Sequence, residues 1–149
     1  KADDPDGLAF AVISSSAFIS WQRTIGGRLE SRLRFSSTLT WNTFPLPVLR
    51  DAQRDAVIAG GRAVLAARAL HPHRSLADHY NPLAMAPELL KAHRELDAAV
   101  DKAFGLRGSV SDDDRLKALF ASYAKLKTAN ELAMPPKTPR RRKVPTATS

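Results

Sequence analysis

The sequence contains no cysteine. Disulfides and thiolate chemistry are excluded, and the chain suits a reducing cytoplasm. It has no apolar run of roughly 18 residues, the length that marks a membrane-spanning helix. Glycine is sparse at seven residues. Its densest clusters, Gly26-Gly27 and Gly60-Gly61, are too short to cradle a phosphate. No Ser-His-Asp order, Walker loop or nuclease-type Asp…Glu-x-Lys stands out, so no catalytic residue is assigned. The opening Lys1-Ala2-Asp3-Asp4-Pro5-Asp6 is neither a starting methionine nor a signal peptide. It reads as a cut end, and the expectation is the carboxyl-terminal part of something longer.

What is present is basic. The 149 residues carry a net charge of +8, and 44% are hydrophobic, enough for a packed core. Such an excess points to an anionic partner, most commonly nucleic acid. Lys137, Arg140, Arg141, Arg142 and Lys143 hold five of those charges in one tail, leaving +3 on the body. A mildly basic globule with a basic end is the plainer reading. The tail either touches DNA backbone or keeps the end soluble.

Residues 8–13, LAFAVI, form a short apolar run, a buried strand or the start of a helix. Ser14-Ser15-Ser16 can cap a following helix. In that helix Phe18, Trp21 and Ile25 recur at helical spacing, and Gly26-Gly27 ends it. Over residues 28–41 the period changes to two. Leu29, Ser31, Leu33 and Phe35 alternate with Arg28, Glu30, Arg32 and Arg34, as in an extended strand. Leu39 and Trp41 continue a strand, which Pro45 and Pro47 stop.

Beyond Pro47 alanine, leucine and charge take over. Residues 51–70 predict a helix weakened at Gly60-Gly61, which His71-Pro72 ends. Ser75-Leu76-Ala77-Asp78 has capping-box spacing. Residues 87–104 predict the cleanest helix, with Leu89, His93, Leu96, Val100 and Phe104 on one stripe, and Gly105 and Gly108 at its exit. Ser111 to Asp114 repeats the capping spacing. Leu116, Leu119, Phe120, Tyr123 and Leu126 form the next stripe. The fold class is mainly α with a small α/β N-terminal piece: short strands and one helix at residues 1–47, a helical bundle at 48–130, and a disordered basic tail at 131–149.

The order of these segments is familiar. FAVISSSAFISWQRTIGGRLESRLRFSSTLTWNTFPLP, residues 10–47, resembles the end of the target-recognition domain in MmeI-like DNA methyltransferases, the type IIG restriction-modification enzymes and their solitary relatives. Trp21, Gly26-Gly27-Arg28, Arg34-Phe35-Ser36 and Trp41-Asn42-Thr43-Phe44-Pro45 match that pattern in order. Residues 76–105 and 114–126, LADHYNPLAMAPELLKAHRELDAAVDKAFG and DRLKALFASYAKL, resemble the same family's carboxyl-terminal helical domain. Asn42-Thr43-Phe44-Pro45 also invites comparison with the Asn-Pro-Pro-Tyr/Phe loop that holds a target base. It lacks the rigid Pro-Pro, and in the family that loop and the Gly-rich S-adenosylmethionine loop lie far upstream. The expected role of this tetrapeptide is therefore structural.

The resemblance gives Glu30-Ser31-Arg32 a meaning. A carboxylate can accept from cytosine N4, and a guanidinium can bond guanine O6 and N7 together. On one strand, residues two apart share a face. In the family a pair at this spacing after Gly-Gly-Arg reads one base pair beside the target adenine, and Glu30 and Arg32 occupy those positions. The plain alternative is a solvated salt bridge. Arg23, Arg28 and Arg34 suit phosphate contacts, which fix register rather than sequence. They could equally be surface arginines. His71, His73, His79 and His93 lack partners at ligand spacing, so no metal is expected. His93 is expected to be a bonded core histidine.

The resemblance thus implies the DNA-sequence recognition and DNA-binding portion of an S-adenosylmethionine-dependent DNA adenine-N6 methyltransferase, with no cofactor in this chain. The expected partners are double-stranded DNA and an upstream methyltransferase domain of the same polypeptide, in a prokaryotic cytoplasm. The competing reading is a helical protein-interaction module with a basic tail.

Overall fold

The computed structural model describes residues 3–26, 28–29, 32–33 and 40–133, and helices carry its fold. The first, α1 (Leu8–Ile13), is fixed at its start by acids. The Asp4 carboxylate accepts from the amides of Ala9 at 3.0 Å and Phe10 at 2.9 Å, and Asp6 accepts from Leu8 at 3.3 Å. These bonds satisfy amides that a helix start leaves free. They decide the run LAFAVI for helix, which apolar content alone could not do.

Helix α2 (Ser16–Ile25) follows after a two-residue break. The Ser15 hydroxyl donates to the Val12 carbonyl at 2.6 Å and accepts from the Phe18 amide at 3.3 Å, closing α1 and opening α2 at once. Phe18 and Trp21 are buried, and Ile25 packs partly against the same core.

Next come β1 (Arg28–Leu29) and β2 (Arg32–Leu33), paired antiparallel with Arg28 opposite Leu33 and Leu29 opposite Arg32. This corrects the expected α/β N-terminal piece. Its described part holds two helices, and strand is confined to these two short segments. The alternating residues 28–33 read as one strand because period two does not reveal a reversal. A two-residue connection preserves that period while folding the chain back. Thr40 and Trp41, expected to continue a strand, are not strand residues. Residues 131–133, expected to begin the disordered tail, are instead the last of the helix that runs Asp112–Ala133, while residues 34–39 and the rest of the expected tail, 134–149, lie outside the described residues.

The remaining helices are α3 (Asp51–Ala69), α4 (Leu76–His79), α5 (Pro87–Ala103) and α6 (Asp112–Ala133). Both expected capping boxes are formed. Ser75 and Asp78 exchange side chain-to-amide bonds, as do Ser111 and Asp114. Pro87 stands at the first turn of α5, where its missing N–H costs nothing. Gly105 follows that helix at φ +79°, a left-handed conformation that glycine takes without strain.

Gly60-Gly61 does not interrupt α3. Both glycines are buried and serve a close approach of three helices. A Cβ on Gly60 would stand 3.0 Å from the Leu96 Cα, and one on Gly61 would stand 2.6 Å from the Ala11 Cβ. The chain accepts poor helix formers there so that α1 and α5 can reach α3.

One hydrophobic core results, drawn from both sides of Pro47. Ala11, Val12, Phe18, Trp21 and Phe44 pack in the same cluster as Val57, Val64, Leu89, Leu96, Val100 and Leu119. Polar ties run across it. The Ser16 amide and hydroxyl both donate to the Asp97 carboxylate, at 2.8 and 2.6 Å. Asp6 pairs with Arg54. Arg115 of α6 grips the buried Asp101 of α5 with two bonds, at 3.0 and 2.9 Å. On α6 the expected stripe is only partly used. Leu119 is buried, while Phe120, Tyr123 and Leu126 stay exposed. The rings of Phe120 and Tyr123 nonetheless cover Trp21 at 5.3 and 5.8 Å.

Candidate nucleic-acid interface

The tetrapeptide Asn42-Thr43-Phe44-Pro45 is committed to packing. Phe44 and Pro45 are buried. The Phe44 ring lies 5.2 Å from Phe18 and 5.9 Å from Phe104, in the tilted and edge-on arrangements that aromatic quadrupoles favour. The Trp21 indole donates to the Thr43 hydroxyl at 3.2 Å. These contacts hold the tetrapeptide against α2 and leave Asn42 on the surface.

The same packing orients α2. Its Phe18 and Trp21 face is held in the core, so Arg23, in the last turn, is exposed. The strand pair begins within five residues of Arg23, and its ladder places the backbones of Arg28 and Arg32 in register with Leu33 and Leu29. Arg28 and Arg32 thus follow Arg23 closely along the chain, one on each of the two paired strands. Glu30 and Arg34 lie outside the described residues. Leu29 pairs antiparallel with Arg32, so the chain does not run on as one strand between them.

The histidines take separate paths. His93 is half-buried on α5, and its Nε2 lies 2.8 Å from the Tyr80 hydroxyl. Arg68 Nε donates to the same hydroxyl at 3.0 Å, and its guanidinium lies over the rings of Phe10 and Tyr80. Burial, with Arg68 nearby, holds the His93 pKa below its usual value, while Asp97 opposes the shift. A neutral His93 accepts from Tyr80, which accepts from Arg68. This chain fastens the segment after α3 onto α3 and α5. His79 is buried, while His73 is exposed and His71 intermediate. Among the described residues no three His, Cys, Asp or Glu groups could together hold a metal ion.

One polar feature escaped the sequence reading. Arg50, Lys102 and Arg107 line a single hollow of about 630 Å³ with Gln53, Ala103 and Gly105. The three cations are up to 57 positions apart in sequence, so only the antiparallel packing of α3 and α5 brings them together. No spacing rule would have grouped them.

The described residues do not fit S-adenosylmethionine. The space beside Gly60-Gly61 is filled by Leu96 and Ala11, so this pair cannot cradle the cofactor. No chemical step is assigned to the cofactor in this chain.

A segment of two helices and a short strand pair packed on a helical domain defines a class by its architecture, and comparison with known proteins gives the family. Residues 2–48 match the model of the MmeI target recognition domain, and residues 48–137 match that of the MmeI C-terminal domain. The chain belongs to the MmeI family. It is similar to the Type IIL restriction-modification enzyme MmeI solved in complex with DNA, with a TM-score of 0.79 and 41% identity, over 85% of this chain and 17% of that one. It is also 30% identical over 125 residues to DNA methyltransferase A of Bacillus subtilis (strain 168), covering 83% of this chain and 14% of that protein. The chain therefore spans less than a fifth of the length of either relative.

Proposed function

We propose that this chain is the sequence-recognition and DNA-binding portion of an S-adenosylmethionine-dependent DNA adenine-N6 methyltransferase of restriction-modification type, and that it performs no chemistry alone. The observation that carries this reading is the pair of family matches meeting at residue 48, together with 41% identity to an enzyme solved on DNA. Residues 1–47 end the recognition domain, 48–130 form the carboxyl-terminal helical domain, and 131–149 form a basic tail. S-adenosylmethionine, held by an upstream methyltransferase domain of the same polypeptide, supplies the methyl group for an adenine flipped out of the duplex. The setting is the bacterial cytoplasm, where duplex DNA is the substrate.

In this reading Glu30 and Arg32 contact the two bases of one C·G pair in the major groove, and Arg23, Arg28 and Arg34 hold the flanking phosphates. The exposure of Arg23 supports its part in that division.

The test is duplex binding by this chain, followed by fluorescence anisotropy at a series of salt concentrations. Three phosphate contacts predict that log K falls against log salt with a slope of at least about 3 in magnitude. A helical protein-interaction module predicts no such slope, and that result overturns the reading.

A further inference from the structure

Arg50, Lys102 and Arg107 are all exposed around their shared hollow, and no carboxylate lines it. Among the described residues none of the three takes part in an ion pair. Nearby acids are otherwise engaged or turned away. Asp101, next to Lys102, is held by both nitrogens of the Arg115 fork. Asp112 also bonds Arg115. Asp51, beside Arg50, does not line the hollow.

The backbone adds to the same sign. Arg50 is the residue that opens the 19-residue α3, so the positive end of that helix dipole faces the hollow. Gln53 takes the Arg50 amide with its side-chain oxygen at 3.1 Å, and Asp51, the acid of the first turn, offsets part of the helix-end charge from outside the hollow. Gly105, at φ +79°, turns the chain after α5 so that Arg107 returns to the hollow beside Lys102. Three like charges and a helix start repel one another unless an anion lies between them.

We infer that this hollow is a second phosphate-binding site on the helical domain, and that it takes consecutive phosphodiester groups of duplex DNA. The inference rests on the DNA-binding reading above but uses none of its residues. A small free anion is a poorer match, because the hollow is open and its charged donors are long, exposed side chains. A duplex presents one negative charge per about 1.7 Å of axis, so several side chains can each find a phosphate and release counterions. The site would grip DNA without reading its sequence.

The experiment compares salt slopes for duplex binding by the full chain and two triple variants. Arg50→Ala/Lys102→Ala/Arg107→Ala empties the hollow. Arg62→Ala/Lys91→Ala/Arg94→Ala removes the same charge from other positions on α3 and α5. The expected result is a slope lowered by about 3 in the hollow variant and little changed in the control. Arg50→Lys/Arg107→Lys, which keeps the charges, should retain the parent slope. If the parent chain binds with a steep slope and the hollow variant matches it, or both triples lose slope equally, the second site is refuted while the proposed function stands. If the parent chain shows no salt-dependent binding, both fall together. Circular dichroism confirms that each variant keeps its helices.

Discussion

A Cβ built on Gly61 would lie 2.6 Å from the Cβ of Ala11, closer than two carbons can come. Helix propensity alone says that Gly61→Ala should stabilise α3 by about 1 kcal/mol. The overlap predicts the opposite sign, because backbone-anchored atoms must separate. A net loss of about 1–2 kcal/mol is expected. Urea denaturation of Gly61→Ala, Ala11→Gly and the double variant measures it. A coupling energy near zero would show that the contact is not made.

Arg115 and Asp101 form a fork-shaped ion pair whose side chains are 12% and 7% exposed. Burial at that level makes removal of one partner costly, because the other charge stays behind. Arg115→Ala should lower stability by about 3 kcal/mol. Arg115→Lys should recover only part of that, since an ammonium cannot offer two parallel donors. Equal denaturation midpoints for the lysine variant and the parent would disprove the role of the fork.

His93 makes stability depend on pH. Its folded pKa is lowered from 6.5, chiefly by burial, so the unfolded chain takes up the proton first as pH falls. Its contribution is complete above about pH 6.5 and is lost below that, as pH falls toward the folded value. Urea midpoints should therefore drop more steeply as pH falls below about 6.5 for the parent than for His93→Gln. Tyr80→Phe should weaken the same region at neutral pH. Identical pH profiles for the parent and His93→Gln would remove His93 from the account.

Exchanging the charges at the proposed reading pair, as Glu30→Lys/Arg32→Asp in the intact polypeptide, should alter the methylated motif at one base pair. Arg23→Ala should instead weaken binding on all sequences and reduce the salt slope by about 1. Modification-sensitive sequencing of genomic DNA reads the first outcome. An unchanged motif with retained methylation would sink the assignment.

Much of this was legible because it is local. Ser15, Ser75 and Ser111 announce three helix starts, and Pro87 a fourth. The stripe of Leu89, Leu96 and Val100 predicts the buried face of α5. The tie of Trp21 to Thr43 and Phe44 could be anticipated as packing, since the tetrapeptide lacks the second proline. What failed was what strand periodicity and glycine counting cannot encode. LAFAVI has no polar residue to set a period, so strand and helix start both stayed open, and the nearby Asp4 carboxylate caps the helix that forms. The alternation over residues 28–33 is the same for one strand and for a tight hairpin. Gly60-Gly61 looks like a weak point until the partner helices are in place. Arg50, Lys102 and Arg107 become neighbours only in three dimensions.

The core that spans Pro47 bears on how specificities can be traded between relatives. The joint between the two family matches falls at residue 48, yet Ala11 nests on Gly61 and Ser16 is bonded to Asp97 across it. A chimaera spliced at that joint would inherit mismatched halves of one interior. The natural unit of exchange is therefore the two matched segments together, larger than the recognition segment that sequence similarity delimits.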